Sequence, residues 1–111
     1  MTTLYHASKN QIDCFNDSRP IWFSTCKKDI FRALNQFADD SHVSGFVYKI
    51  VVDLTTVIKT TDFMLFHSGE ILSNGIEVAK MESNDIDNNW YCFLNVNKFS
   101  PTLIKTITIY L

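Results

Sequence analysis

The feature that most constrains the fold is a regular alternation of side chains over residues 45–53. One set is Phe46, Tyr48, Ile50 and Val52, and the alternate set is Val47, Lys49, Val51 and Asp53. Successive side chains of a strand point to opposite faces of a sheet, so this pattern predicts a half-buried strand. The β-branched residues in the segment favour the same structure. The chain is therefore expected to build a sheet with at least one buried face.

The size and composition of the chain predict one α+β domain spanning residues 1–111. A chain of 111 residues that is 46% hydrophobic and 20% charged fits a single folded unit. Nine Phe residues against three Gly and two Pro favour an aromatic, α+β or β-rich core over a glycine-dependent scaffold.

Local patterns predict the remaining elements. Further strands are predicted at 4–6, 21–23, 55–59, 75–81, 90–96 and 103–111. Ser24 and Thr25 are good N-cap residues, and apolar residues at helical spacing after them predict a helix over 26–38. Residues 62–73 fit either a second short helix or a loop, and the polar segment 81–89 is predicted to be an exposed loop.

The charge and the glycines exclude several modes of binding. Gly45, Gly69 and Gly75 are too far apart to form a phosphate-binding loop or a G-x-G-x-x-G turn, so any nucleotide must be held differently. With a net charge of −2, the chain lacks the excess of basic residues that is typical of a nonspecific nucleic-acid binder. The aromatic and basic residues of 46–49 are also found in nucleic-acid-binding strands, but the alternation more economically places both rings in the core.

The cysteines and the apolar segments predict a soluble cytoplasmic protein. Cys14, Cys26 and Cys92 form no C-x-x-C pair, which argues against a disulfide framework and a zinc knuckle. The histidines lack the spacing of a metal site, and none is predicted. The chain has neither a long apolar run nor a secretory leader, so no membrane partner is expected.

The order of the predicted elements resembles the ADP-ribosyltransferase superfamily. Leu-Tyr-His-Ala-Ser at 4–8 looks like the first-strand His-Gly-Ser/Thr motif of the branch that carries a His-Tyr-Glu triad. Ile-Trp-Phe-Ser-Thr at 21–25 looks like the second motif, an aromatic pair followed by a helix. The strands at 45–53 and 90–93 follow in the same order, so the resemblance covers nearly the whole chain. It implies an ADP-ribosyltransferase-like mixed or antiparallel β core with one early helix.

The resemblance also implies NAD as the cofactor and assigns residues to its site. The cofactor-binding set is His6, Ala7, Ser8, Trp22, Ser24 and Phe37. His6 would anchor a ribose, because a neutral imidazole can donate to a hydroxyl. The backbone at Ala7 would hold the carboxamide, and Phe37 would stack on the nicotinamide. Each of these residues also has a purely structural reading: the histidine as a hydrogen-bonded strand residue, the aromatics as core.

The negative charge that the reaction needs is assigned to the late polar loop. Asn89 stands where many members of the family have a glutamate, and it cannot stabilise an oxocarbenium ion by charge. Some small phage-encoded members with an anti-CRISPR role look similar in this region, with the acid displaced into the loop. Asp85 and Glu82 are therefore the predicted catalytic carboxylates, with Asp87 behind them. The same carboxylates could instead form an ordinary solvated turn.

Three functions follow from these observations. The first is an NAD-dependent mono-ADP-ribosyltransferase that modifies a protein partner, by analogy a host defence or regulatory protein. The second is a catalytically degenerate relative that inhibits a protein by binding it, marked by Asn89 and by Ala7 in place of glycine. The third, a small ribonuclease using His6 and a lysine, is disfavoured by the acidic balance. The first requires the start of the chain and the loop near residue 85 to line one crevice.

Overall fold

A seven-stranded sheet forms the frame of the part of the chain that the structure describes. The computed structural model describes residues 1–34, 44–83 and 86–110. The strands are β1 (Thr2–Ser8), β2 (Ile21–Ser24), β3 (Ser44–Val52), β4 (Ile58–Thr60), β5 (Val78–Met81), β6 (Trp90–Phe93) and β7 (Thr102–Tyr110). The helices are α1 (Lys27–Leu34) and α2 (Phe63–Ser68), with short 3₁₀ turns at Glu70–Leu72, Ile86–Asn89 and Val96–Phe99. The α+β class is confirmed.

The sheet is mixed, and its topology places the start of the chain near the centre. The strand order is β4-β5-β6-β2-β1-β3-β7. Only β4 and β5 are parallel among the described pairs; the others are antiparallel. β2 therefore lies between β1 and β6, so the first motif is separated by one strand from the strand that follows the acidic loop.

Most predicted elements are present, and the differences have local causes. α1 confirms the predicted helix as far as Leu34; residues 35–38 lie outside the described part. The strand predicted at 90–96 ends at Phe93, because Asn95 adopts φ 57 and starts a 3₁₀ turn. β4 lies at Ile58–Thr60 instead of 55–59.

The segment that fitted either a helix or a loop contains α2, and both helix ends are capped. The side chain of Asp62 accepts a hydrogen bond from the amide of Leu65, as an N-cap does. Gly69 adopts φ 80 and closes the helix in the left-handed conformation.

The two faces of the sheet have separate cores. We call the side that carries Leu4, Phe23, Ile50 and Phe93 the front face. The connecting segments cover it through the buried Phe15 and Val96 and through the partly buried Ile12, Leu54, Val57 and Phe99. Burying each such side chain contributes about 1.5–3 kcal/mol. The apolar side chains of the front face therefore fix the loop over residues 9–20 against the sheet.

The helices cover the opposite side, the back face. α1 packs through Ile30 and Leu34 against Val47. α2 packs through Phe66 in the cluster that contains Cys92 on β6. The helices therefore lie on the face opposite His6, whose ring contacts Phe23 on the front face.

Candidate functional site

His6 is held near the middle of β1 by a hydrogen bond to the neighbouring strand. Its Nδ1 lies 2.8 Å from the carbonyl oxygen of Trp22. Because a carbonyl oxygen only accepts, Nδ1 carries the proton and donates it. The register of β1 and β2 is fixed by Tyr5 opposite Ser24. The bond from His6 to Trp22 therefore adds a side-chain link between β1 and β2 beside this pair.

The surroundings of His6 keep its ring neutral. Two aromatic rings contact it, Phe23 at 5.2 Å and Phe15 at 6.0 Å between centroids. Burial lowers the pKa of His6 below its usual value, the hydrogen bond to Trp22 opposes this shift, and the positive charge of Arg19 adds to it. At neutral pH the ring is therefore uncharged, and its Nε2 is an acceptor with no partner among the described residues.

This geometry refines the role expected of His6. The sequence suggested that a neutral imidazole would donate to a ribose hydroxyl. The proton on Nδ1 is already donated to Trp22, and Nε2 carries only a lone pair. At this position His6 can therefore accept a hydrogen bond from a hydroxyl, but it cannot donate one without being protonated or changing tautomer.

Ala7 and Ser8 follow His6 but lie in different surroundings. Ala7 packs on the back face against the cluster of Ile30 and Val47. Ser8 forms the turn after β1: its hydroxyl donates to the carbonyl of Asn10 at 2.7 Å and accepts from the amide of Asn10 at 3.2 Å. The proton and one acceptor lone pair of the Ser8 hydroxyl are therefore used locally in this conformation.

Trp22 and Ser24 are built into the packing of the back face. The indole N–H of Trp22 donates to the carbonyl of Phe66 at 3.2 Å, which ties β2 to α2. The hydroxyl of Ser24 is fully buried, donates to Asp29 at 2.7 Å and accepts from the amide of Cys26 at 3.0 Å. These contacts stabilise the start of α1 and leave the Ser24 hydroxyl engaged. Phe37, the predicted stacking ring, lies outside the described residues.

The acidic loop begins with a carboxylate that has a partner. Glu82 lies 3.4 Å from Lys59, and its side chain is 44% exposed. Its amide donates to the carbonyl of Thr60 at 2.7 Å, which holds the end of β5 beside β4. Asp85 lies outside the described residues, as does the side chain of Asp87.

Lys80 anchors the far end of this loop. Its Nζ donates to the carbonyl of Asn88 at 2.9 Å and lies 5.9 Å from the centre of the Tyr91 ring. The side chain of Asn88 accepts from the amide of Ser83 at 3.3 Å. The amide of Thr25 donates to the carbonyl of Asn89 at 3.1 Å, so the loop is also tied to the end of β2.

His6 and the acidic loop belong to one face of the sheet, but they are not in contact. The His6 ring contacts Phe23, Phe23 pairs with Tyr91, and Tyr91 pairs with Lys80. Three strand spacings of about 4.8 Å separate His6 from Lys80, or about 14 Å in total. Glu82 follows two residues beyond Lys80. The two regions therefore flank the front face at a separation that a ligand would have to span.

Sequence reasoning missed the residues that surround His6. Phe15 lies between the strands predicted at 4–6 and 21–23 and was given no role, yet it is 6% exposed and contacts the imidazole. An isolated aromatic residue between Cys14 and Asn16 was the available signal, because a polar loop has little other reason to carry a large apolar side chain. The effect of Arg19 on His6 had no sequence signal.

The comparisons and the search for metal and membrane features add no assignment. No protein-family model, curated protein or solved structure matches the chain. Among residues 1–34, 44–83 and 86–110, no group of three or more His, Cys, Asp or Glu side chains is arranged so that it could hold a metal ion. The helices in the same ranges are all too short or too polar to cross a bilayer.

Proposed function

We propose that the chain is an NAD-dependent mono-ADP-ribosyltransferase that modifies a protein partner. The observation that carries this proposal is the state of His6: a neutral imidazole beside the short β1–β2 ladder, with Nδ1 engaged and Nε2 open as an acceptor. A sugar hydroxyl is a suitable donor to such a nitrogen. The resemblance of the first and second sequence motifs to the ADP-ribosyltransferase superfamily supports NAD as the ligand.

The proposed reaction places little demand on proton transfer. The bond between the nicotinamide nitrogen and the ribose carbon breaks, and nicotinamide leaves with the electron pair. A nucleophilic side chain of the partner attacks the same carbon and loses its proton to solvent. His6 would hold a ribose hydroxyl, and a loop carboxylate would face the oxocarbenium-like carbon.

Asp85 and Glu82 remain the proposed carboxylates. Glu82 would first have to break its ion pair with Lys59. This ion pair is exposed, so breaking it costs little free energy. Lys80 fixes the base of the loop through Asn88 and would limit how far a loop carboxylate could move.

The second candidate function is a non-catalytic inhibitor that binds a protein. It is favoured by the exposed apolar side chains of α2, of which Phe63 is 46% and Met64 72% exposed. Such side chains on a short surface helix are typical of a contact surface. Asn89 in place of the usual acid agrees with this alternative.

Thermal unfolding with and without NAD tests the site. His6→Asn keeps an amide N–H near the position of Nδ1, so the bond to Trp22 is retained while the Nε2 acceptor is lost. We expect NAD to raise the Tm of the wild type and of the control His67→Asn, whose ring is on α2, and to leave His6→Asn unchanged. An NAD-independent Tm for the wild type would refute the NAD site.

Label transfer separates the enzyme from the inhibitor. With radiolabelled NAD and a cell lysate, we expect the wild type to release nicotinamide and label a protein, and Asp85→Asn with Glu82→Gln to abolish both. NAD binding without nicotinamide release would favour the inhibitor.

A further inference from the structure

Residues 9–20, which connect β1 to β2, form a strap over the front face at His6. The ring of Phe15 is 6% exposed and lies nearly perpendicular to the imidazole, with the ring centroids 6.0 Å apart. In the described part of the chain every buried side-chain N or O atom has a hydrogen-bond partner, so Nε2 of His6, which has none, touches solvent. Water can reach this atom, but a sugar or a ring that lies against the imidazole would meet Phe15.

Few contacts attach the strap to the rest of the molecule. Among the described residues, no backbone–backbone hydrogen bond joins 9–20 to another segment. Phe15 is buried, Ile12 and Pro20 are half-buried, and the other residues of the strap are exposed. A segment with few buried apolar side chains and few backbone hydrogen bonds opens locally at a low cost in free energy.

Tyr48 holds the first half of the strap. It lies directly opposite His6 in the pairing of β1 with β3, so the two residues share the front face. The amide of Ile12 donates a hydrogen bond to the hydroxyl oxygen of Tyr48, which is fully buried. The strap is therefore tied down beside the histidine that it covers.

Asn97 holds the second half of the strap. Its side-chain amide donates to the carbonyl of Phe15 at 2.7 Å and to the carboxylate of Asp17 at 3.1 Å. The 3₁₀ turn that contains Asn97 is flanked by Asn95 and Ser100, which adopt φ 57 and φ 53. Left-handed backbone at residues other than glycine persists only where the surrounding contacts enforce it. The turn therefore holds Asn97 in a fixed position from which it can bind and release the strap.

We propose that the strap controls access to Nε2 of His6: Tyr48 and Asn97 latch it closed, and it opens to admit a ligand that carries a sugar hydroxyl. Opening moves Phe15 off the imidazole and leaves β1, β2 and β3 paired, because the strap shares no described backbone hydrogen bond with them. A ligand that binds only the open form has its apparent affinity reduced by the fraction of molecules that are closed. As a control of NAD binding the strap rests on the proposed function, whereas the opening itself is a property of the free chain.

The test measures how fast diethyl pyrocarbonate, which acylates an unprotonated imidazole nitrogen, modifies His6 in the free full-length protein at neutral pH. Mass spectrometry identifies the modified residue, and the exposed His67 on α2 is the internal reference. We expect the rate at His6 relative to His67 to rise about two- to tenfold in Tyr48→Phe, the size expected for one hydrogen bond, and further in Asn97→Ala, which loses two. Lys98→Ala, in the same turn as Asn97, is the matched control and should leave this ratio unchanged.

Hydrogen exchange in low concentrations of urea separates opening of the strap from unfolding of the protein. The amide of Ile12 should exchange at a nearly constant rate as urea is added, because opening the strap exposes little surface. The protected amides of β3 should exchange faster with each addition. An unchanged ratio of modification in both latch variants, or an equal urea dependence for Ile12 and for β3, would overturn the proposal.

Neither measurement uses NAD, so the strap and the NAD site can fail separately. A strap that opens as expected in a protein whose Tm does not respond to NAD would refute the NAD site and leave the strap in place. A Tm that rises with NAD, together with latch variants that leave the modification of His6 unchanged, would refute the strap alone.

Discussion

The uncharged state of His6 makes the stability of the protein depend on pH. Burial lowers the pKa of His6 in the folded chain, whereas the unfolded chain has the ordinary value of about 6.5. Between the two values the unfolded chain binds more protons, so the contribution of His6 to stability is present above about pH 6.5 and is lost as the pH falls below it. We expect urea unfolding to show a steeper loss of stability from pH 7.5 to 5.5 in the wild type than in His6→Asn. If the free energy of unfolding depended on pH in the same way in the wild type and in His6→Asn, burial would not be what keeps His6 neutral.

Ser24 provides a second test at the scale of one residue, because its structural and cofactor-binding roles predict different results. Ser24→Ala leaves a buried oxygen of Asp29 without its donor and the amide of Cys26 without its acceptor. We expect the free energy of unfolding to fall by about 1–3 kcal/mol while NAD still raises the Tm. Loss of the NAD effect with unchanged stability in urea would instead assign Ser24 to the cofactor site.

At the scale of one element, α2 depends on the glycine that ends it. A Cβ on Gly69 would lie 2.7 Å from Cγ of Pro20, and the residue has φ +80. Gly75 has the same φ with nothing within 4 Å, so it is a matched control for backbone strain alone. We expect Gly75→Ala to cost about 1 kcal/mol and Gly69→Ala about 1–3 kcal/mol more, measured by urea unfolding. Equal costs would mean that Pro20 moves aside without loss.

The elements themselves were predictable where the local pattern decides the structure. The alternation over 45–53 and the capped helical pattern after Ser24 gave β3 and the described part of α1, because period and capping are local properties. The end of β6 was missed because Asn95 adopts a left-handed conformation that nothing in the strand pattern requires. The parallel pairing of β4 with β5 depends on contacts between distant segments, which a local pattern does not contain.

The site was less predictable than the fold for a related reason. His6 was chosen from a short motif, but its tautomer and charge depend on the Trp22 carbonyl, on Phe15 and on Arg19. Ser24 was placed correctly beside the start of a helix, yet whether its hydroxyl binds a ligand or Asp29 is decided by packing. Sequence therefore identified candidate residues, and the three-dimensional contacts determine what each can donate or accept.

Across the whole molecule, a series of aromatic contacts joins the surroundings of His6 to the 3₁₀ turn at Val96–Phe99. The His6 ring contacts Phe23, the ring centroids of Phe23 and Phe93 lie 5.1 Å apart, and those of Phe93 and Phe99 lie 5.6 Å apart. Each described pair of Phe rings is edge-to-face, an arrangement worth about 0.5–1.5 kcal/mol beyond the buried area. We therefore expect the front face to unfold as one unit. Substitutions of two of its aromatic side chains should have non-additive effects on the free energy of unfolding only where the two rings are in contact.

Two double-mutant cycles measure this coupling through the free energy of unfolding in urea. Phe23→Leu combined with Phe93→Leu should deviate from additivity by about 0.5–1.5 kcal/mol, because these rings are in contact. Phe23→Leu combined with Phe99→Leu is the matched control: the two rings are both next to Phe93, but no contact between them is described, so their effects should add within about 0.5 kcal/mol. A large deviation in the control cycle would mean that strain passes through Phe93 from one ring to the next.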